Sequence, residues 1–507
     1  MIDKLDSSEI KKRSIFGVKW IMILSIAGMG LESLTAILLG RIGPKALGSY
    51  ALSKIIIALM ASLIVLGGRS LLQNFMPKMQ GPDLRCKLLI SYWVIGAASM
   101  AVFVILFGIF PSLFSFFIRH EITPKLYVSF IALCVVVVSG EYLLGALAGM
   151  MQLTASSVAR AFRYVVPFGI VLTLFFTAPK FLRENTLIVM LVAFFVAYLF
   201  IIIICTICLI RDKRFSISFG WHFPGRATRY YWTVSFLCLS SFIYTQFDRI
   251  IVFGRDNLSG LGMYQAVITL VLLLEYLPKI LQDALIPIYS SIVSNSEAND
   301  DKLNKVFQFL ARYIVLLMCS VALFLILFSY EMLNIFGQEY KRYYFLLCGF
   351  CLAGAIRSLA YVLTPVYTSK EFNRFRIFQS SSQITIQIIL TFLFLQLYGV
   401  IAVAGAKIFG VVYASTVSIC YAMYCKKFIT SLPLIYKAGV VIVSVAVIIR
   451  VMLGETSVLI NVLLFSASIG ILLCFSDITF REILNNTKAI LKRQELSSKI
   501  LMDSRNV

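Results

Sequence analysis

Eight charged side chains stand in runs of about twenty otherwise apolar residues, and any chemistry of this chain has to be sought among them first. Four are arginines, Arg69, Arg160, Arg163 and Arg357, and four are carboxylates, Glu32, Glu141, Asp248 and Glu275. A charge at the centre of a lipid-embedded helix costs about 2.5–3.5 kcal/mol on insertion scales, so such residues turn toward a bundle interior or a cavity. Arg357, in Ala355-Ile356-Arg357-Ser358-Leu359, is the sharpest case. Arg160 and Arg163 are one helical turn apart and share a face. The carboxylates can bind a cation or proton, or can balance the arginines. An intramembrane salt bridge or a snorkelling head group is the plain alternative for each. Lys407 lies near the end of its apolar run, whereas Lys54, Arg312 and Arg450 read as snorkelling or interfacial.

No catalytic pattern accompanies these charges. There is no Gly-x-x-x-x-Gly-Lys-Ser/Thr loop, so ATP does not drive the chain directly, and neither His-Glu-x-x-His nor Gly-x-Ser-x-Gly occurs. Only two histidines, His120 and His222, are present, and most of the eleven cysteines sit inside apolar runs, where Cys acts as a small hydrophobe. The expectation is a non-enzyme with no metal site and no cofactor. Its N-terminal residues, Met1 to Ser14, do not read as a signal peptide.

The elements that must position the charges are transmembrane helices. Hydrophobic residues make up 60% of the 507 positions and charged ones 14%, with a mean hydropathy of +0.91. In hydrocarbon every backbone group must be satisfied internally, which makes long apolar runs helices. The predicted spans are 16–40, 50–75, 88–110, 125–149, 156–178, 187–210, 231–254, 261–289, 307–330, 343–367, 379–398, 401–424, 435–453 and 457–476: an all-α polytopic fold of about fourteen transmembrane helices. Pro278 and Pro287 are expected to interrupt the eighth span, and Pro365 falls near the end of the tenth. The joints are too short to fold as domains. The formal charge of +22 is placed by Lys and Arg clustered in alternate joints, Lys78, Arg85 and Lys87 among them, while Arg41, Arg255 and Arg342 belong to the sparser set. That bias predicts both termini in the cytoplasm. No basic segment carries an interleaved aromatic platform, which argues against nucleic acid.

An internal repeat organises the spans. Gly40-Arg41-Ile42-Gly43-Pro44-Lys45-Ala46-Leu47-Gly48-Ser49-Tyr50 aligns without gaps on Gly254-Arg255-Asp256-Asn257-Leu258-Ser259-Gly260-Leu261-Gly262-Met263-Tyr264 at a constant offset of 214 residues. Each copy follows the first span of a set of six, so the repeat is parallel. The expected units are an N-terminal six-helix lobe (1–210), a C-terminal six-helix lobe (211–430), two additional helices (431–476) and a cytoplasmic tail (477–507).

The same residues carry a family resemblance. Gly43-Pro44-Lys45-Ala46-Leu47-Gly48-Ser49-Tyr50, then Leu66-Gly67-Gly68-Arg69-Ser70-Leu71-Leu72-Gln73-Asn74-Phe75-Met76-Pro77, then Phe247-Asp248-Arg249-Ile250-Ile251 with Leu261-Gly262-Met263-Tyr264, resemble the Wzx-like polysaccharide flippases. These form a branch of the multidrug/oligosaccharidyl-lipid/polysaccharide exporter (MOP) superfamily. The resemblance implies a MATE/MOP-like fold, with two lobes in a V around a central cavity and alternating access. It implies a cationic cavity for the diphosphate and sugars of a polyprenyl-linked oligosaccharide, with the extra helices guiding the lipid tail. Arg69, Arg160, Arg163 and Arg357 would then meet the diphosphate. Glu32, Glu141, Asp248 and Glu275 would couple an ion or balance charge. Expected partners are the lipid-linked oligosaccharide, membrane lipids, a coupling cation or proton and polysaccharide-assembly proteins, in a bacterial inner membrane. Outward movement of negative charge across an inside-negative potential is favourable by about 2.3 kcal/mol per charge per 100 mV. A cation-coupled drug exporter of the same superfamily and a membrane polysaccharide polymerase are the competing readings.

Overall fold

The computed structural model describes residues 7–79, 81–109, 124–150, 152–212, 215–222, 225–294, 299–370, 372–425 and 432–475. The predicted tail at 477–507 lies outside them. All regular structure among the described residues is helical. In chain order the helices are α1 (Ser7–Ile42), α2 (Pro44–Leu63), α3 (Gly68–Phe75), α4 (Pro82–Ile109), α5 (Pro124–Gly149), α6 (Leu153–Thr177), α7 (Pro179–Arg211), α8 (Gly225–Ser294), α9 (Asn299–Leu327), α10 (Ser329–Asn334), α11 (Tyr344–Ser369), α12 (Asn373–Tyr398), α13 (Val400–Cys420), α14 (Leu434–Leu453) and α15 (Val458–Phe475).

Twelve helical stretches among the described residues are long and apolar enough to cross a bilayer. One of them, Val234–Tyr276 in α8, has 43 residues, about twice what a single crossing needs. It breaks at Asn257, where φ is 61° and ψ −164°. The break is a reversal. The Tyr264 hydroxyl donates to Asp248 Oδ2 at 2.6 Å although sixteen residues separate them, and in a straight helix that separation would span about 24 Å. Counting the two arms of α8 separately, and adding the shorter apolar helix Val458–Cys474, gives the fourteen predicted crossings.

The repeat junctions are the places where the backbone turns. Gly43, at φ 147°, separates α1 from α2, and its partner at the 214-residue offset is Asn257. The two following helices, α2 and the second arm of α8, cross with their backbones nearly in contact. A Cβ on Gly48 would lie 1.8 Å from the Leu258 carbonyl oxygen, and one on Gly262 would lie 1.9 Å from that of Pro44. Leu258 is itself the offset partner of Pro44, so the contact is reciprocal. Small residues at such a crossing let helix backbones approach as no larger side chain would.

Three local expectations change. The second span begins at Pro44, earlier than predicted, and ends in a break: Leu66 has φ 44° and Gly67 φ 73°, the left-handed region that stops a helix and starts the short α3. Pro278 and Pro287 lie within the helical stretch of α8 that continues to Ser294 and do not end it; a membrane helix tolerates proline when neighbours accommodate the freed carbonyl. Arg450 does not snorkel. It is 2% exposed, donating to Ser329 Oγ at 3.1 Å and Thr456 Oγ1 at 2.7 Å, 3.6 Å from Glu331 and 4.6 Å from the centre of the Tyr330 ring. Through it α14 is fixed against the α9–α10 corner.

Candidate functional site

A cavity of about 580 Å³ lies between α1, α2, α5, α6 and α7 on one side and both arms of α8, α11 and α13 on the other. Its wall is unusual for a membrane interior, because Glu32, Lys54, Glu141, Arg163, Arg249, Glu275 and Lys407 all line it. Each carboxylate predicted from sequence is paired. Glu32 pairs with Lys54 across the α1–α2 hairpin. Glu141, buried on α5, takes Arg69 NH1 on Oε2 at 3.0 Å, and both Arg163 and the Tyr198 hydroxyl on Oε1. Arg163 also lies over the Tyr198 ring, 4.9 Å from its centre.

On the other side the charges are separated into two pairs. Asp248, with no exposed surface, accepts the Lys407 ammonium at 2.8 Å and the Tyr264 hydroxyl on the same oxygen. Glu275 accepts from Arg357 at 3.3 Å, and Arg357 also donates to the Tyr244 hydroxyl at 3.0 Å and lies 5.0 Å from the centre of the Tyr361 ring. Because the two arms of α8 run side by side, Tyr244 and Glu275 reach one guanidinium.

Two arginines remain without a carboxylate among the described residues. Arg160, one turn before Arg163 and beside Arg69, has a buried Nε with no hydrogen-bond partner. Arg249 is buried and lines the cavity; NH1 donates to Gln246 at 3.1 Å and its Nε is unmatched. The structure thus gathers Arg69, Arg160 and Arg163 around Glu141, and sets Arg357 apart with Glu275. Sequence reading did not place Arg249 or Lys407 in the site, although the Asp248-Arg249 pair was visible. The tyrosines that line the cavity, Tyr50, Tyr164, Tyr198, Tyr244 and Tyr276, come from four helices and share no sequence spacing. Their rings line the same space, while the Tyr198 and Tyr244 hydroxyls are engaged with Glu141 and Arg357.

The arrangement carries a surplus of positive charge. Arg69, Arg160, Arg163, Arg249, Arg357, Lys54 and Lys407 outnumber Glu32, Glu141, Asp248 and Glu275 by three charges at and just behind the cavity wall. Guanidinium groups left without carboxylates keep their paired N–H donors for an incoming phosphate or carboxylate.

The two sides also touch at both ends of α2. The Gly48–Gly262 crossing joins them at one end. At the other, the Ser235 hydroxyl on the first arm of α8 donates to the Leu66 carbonyl at 2.7 Å, and Gly67 faces Val234.

No protein-family model matches the chain, and no curated protein matches it. Its likeness is to solved structures. The lipid II flippase MurJ in an inward closed conformation matches with TM-score 0.63 at 14% identity, over 92% of this chain and 99% of that one. An inward-facing multidrug resistance MATE family transporter of the MOP superfamily also matches with TM-score 0.63, at 12% identity, over 81% of this chain and 98% of that one. A MATE in complex with MaL6 gives 0.56 at 16% identity, over 81% and 97%. The chain is a polytopic membrane protein with the MATE/MurJ-like helical fold.

Proposed function

We propose that this chain is a flippase, moving a polyprenyl-diphosphate-linked oligosaccharide between bilayer leaflets by alternating access. The cargo class covers O-antigen, capsule, exopolysaccharide and teichoic-acid-type units. The observation that carries this reading is the surplus of cationic groups at and just behind the wall of a tyrosine-lined cavity, where neither Arg160 nor Arg249 has an ion pair of its own among the described residues. A diphosphate would neutralise that surplus, and the tyrosines would meet the sugars. A cavity of this volume takes a drug-sized head group, so the polyprenyl tail stays in the bilayer.

In this reading residues 1–210 and 211–430 are the rocking lobes, and 431–476 an added pair. The match to the lipid II flippase supports it: it covers more of this chain than the MATE matches do, by roughly the length of that final pair. The membrane would be the bacterial inner membrane, with both termini in the cytoplasm as the loop charges suggest. Glu32, Glu141, Asp248 and Glu275 serve in this reading as charge balance or as the groups that couple a cation or proton.

The competing drug-exporter reading rests on the equal TM-score of the MATE transporter, and the cationic wall counts against a cationic drug. Proteoliposomes containing the protein should move a fluorescent polyprenyl-diphosphate oligosaccharide to the opposite leaflet. R160Q/R249Q should lower that rate at least about ten-fold, in line with the loss of a charge-assisted contact. Efflux of a cationic dye with no movement of the lipid would overturn the reading.

A further inference from the structure

A second cavity, of about 560 Å³, opens at the Asn257 end of the fold and shares no lining residue with the first. It lies where the turn of α8, the 3-10 segment Gln338–Tyr343 and the α12–α13 junction meet. Two exposed arginines, Arg255 and Arg342, line it. Arg255 spends one donor on the Leu395 carbonyl at 2.6 Å, and its nearest carboxylate, Asp256, is 3.8 Å away. Arg342 donates to the Met263 sulfur at 2.9 Å and lies 5.4 Å from the centre of the Tyr343 ring; no carboxylate pairs with it among the described residues. The glycine between α12 and α13, Gly399 at φ 59°, leaves the Arg255 guanidinium lying against the main chain, 3.4 Å from where a Cβ would stand. The lip of the cavity is apolar and open: Leu397 is 73% exposed and Ile401 50%.

We propose that this cavity binds an anionic glycerophospholipid of the surrounding membrane, with the phosphodiester between Arg255 and Arg342 and the acyl chains along Leu397 and Ile401. Three features point to that occupant. Two arginines against one aspartate leave a single positive charge, which matches a monoanionic phosphodiester. The site lies where α12 ends and α13 begins, which is the depth of the head groups when both helices cross the bilayer. The joined guanidinium and apolar surfaces fit a head group together with the start of its chains, whereas a free anion would use only the first. A zwitterionic lipid would bring its ammonium against the same arginines.

The test is native mass spectrometry of the protein released from detergent, after exposure to phosphatidylglycerol, phosphatidylcholine, a polyprenyl phosphate or inorganic phosphate. The wild-type protein should retain phosphatidylglycerol over phosphatidylcholine by at least about ten-fold, the scale of one charge-assisted hydrogen bond. R255Q/R342Q should lose that preference, and R342K should keep most of it. Displacement of phosphatidylglycerol by millimolar inorganic phosphate would make this a small-anion site and overturn the proposal. Preferential retention of the polyprenyl phosphate that R255Q/R342Q abolishes would assign the cavity to cargo and overturn the proposal too. Unchanged phosphatidylglycerol retention by R255Q/R342Q would do the same. If the double variant does not fold, the single variants R255Q and R342Q take its place, and each should lower phosphatidylglycerol retention.

Discussion

The two halves of the chain meet as equals at one place and differ at another. Where α2 crosses the second arm of α8, the halves mirror each other: Gly48 sits on Leu258, and Gly262 on Pro44. Around the central cavity that correspondence ends. At the same offset Asp248 falls on Leu34 and Glu275 on Ala61. Helices α5 and α11 start 220 residues apart, at Pro124 and Tyr344, and along them Glu141 falls on Tyr361 and Arg357 on Val137. The repeat is kept where backbone packs on backbone and dropped where charged side chains make a site. A pseudo-symmetric frame therefore holds an asymmetric cavity, with a crowded cluster beside the Glu32–Lys54 pair on the first side and two separate ion pairs on the second.

That contrast has unequal consequences for mutation. Glu141 serves two guanidinium groups and stands beside a third, so Glu141→Gln leaves Arg69, Arg160 and Arg163 facing one another without a counter-charge. Breaking a buried pair from one side costs about 3–5 kcal/mol, and three crowded arginines put this variant at the upper end. It should show the lowest yield of folded protein and the largest drop in melting temperature of any single site substitution. Asp248→Asn strands only Lys407, so its loss should be smaller. The double variant D248N/K407M should recover most of it, because replacing both members of a buried pair is close to neutral. No comparable rescue should exist for Glu141 short of replacing several arginines. Equal rescue by E141Q/R163M would show that the first cluster is as separable as the second, and the contrast would fail.

At the helix crossing the prediction reverses, since there the halves should respond alike. Gly48→Ala and Gly262→Ala each place a methyl group against a carbonyl oxygen that cannot move without its helix. Overpacking of this kind costs about 1–3 kcal/mol. The two variants should lower the thermal midpoint by similar amounts, and the double variant should cost less than their sum, because one separation of the helices relieves both clashes. Markedly unequal single effects would show that the reciprocal contact is shared unevenly.

The frame was far more legible in the sequence than the site. Hydropathy marked every crossing, and the Gly-Arg to Tyr repeat marked the turns, because a bilayer admits few backbone solutions and close helix crossings demand glycine. The charges inside the spans were visible for the same reason, as departures from an apolar background. Their pairing was not. Lys407 and Asp248 are 159 residues apart, and Arg69 and Glu141 72 apart. Arg450 looked interfacial because it stands near the end of its helix. Its partners come from two separate segments, Ser329 and Glu331 on α10 and Thr456 beyond the end of α14. Arg249 was overlooked beside Asp248, since nothing local shows that the acid is committed to Lys407.

The smallest predicted effect tests the far end of α2. There Ser235 donates to the Leu66 carbonyl, in a stretch where Leu66 itself holds a left-handed conformation. For a non-glycine residue that conformation costs about 1–3 kcal/mol and persists only when its surroundings enforce it. At the 214-residue offset Ser235 falls on Ile21, which has no hydroxyl to donate, so the contact has no counterpart in the other half. Ser235→Ala should lower stability by only about 0.5–1.5 kcal/mol, the net worth of one hydrogen bond. If the cavity opens toward this end during transport, the contact must break in each cycle. The variant should then open more readily, seen as faster labelling of a cysteine introduced at Ala61 on the cavity wall. Unchanged labelling would mean that the Gly67–Val234 packing alone holds this end shut, and that the two ends of α2 are closed by packing in the same way.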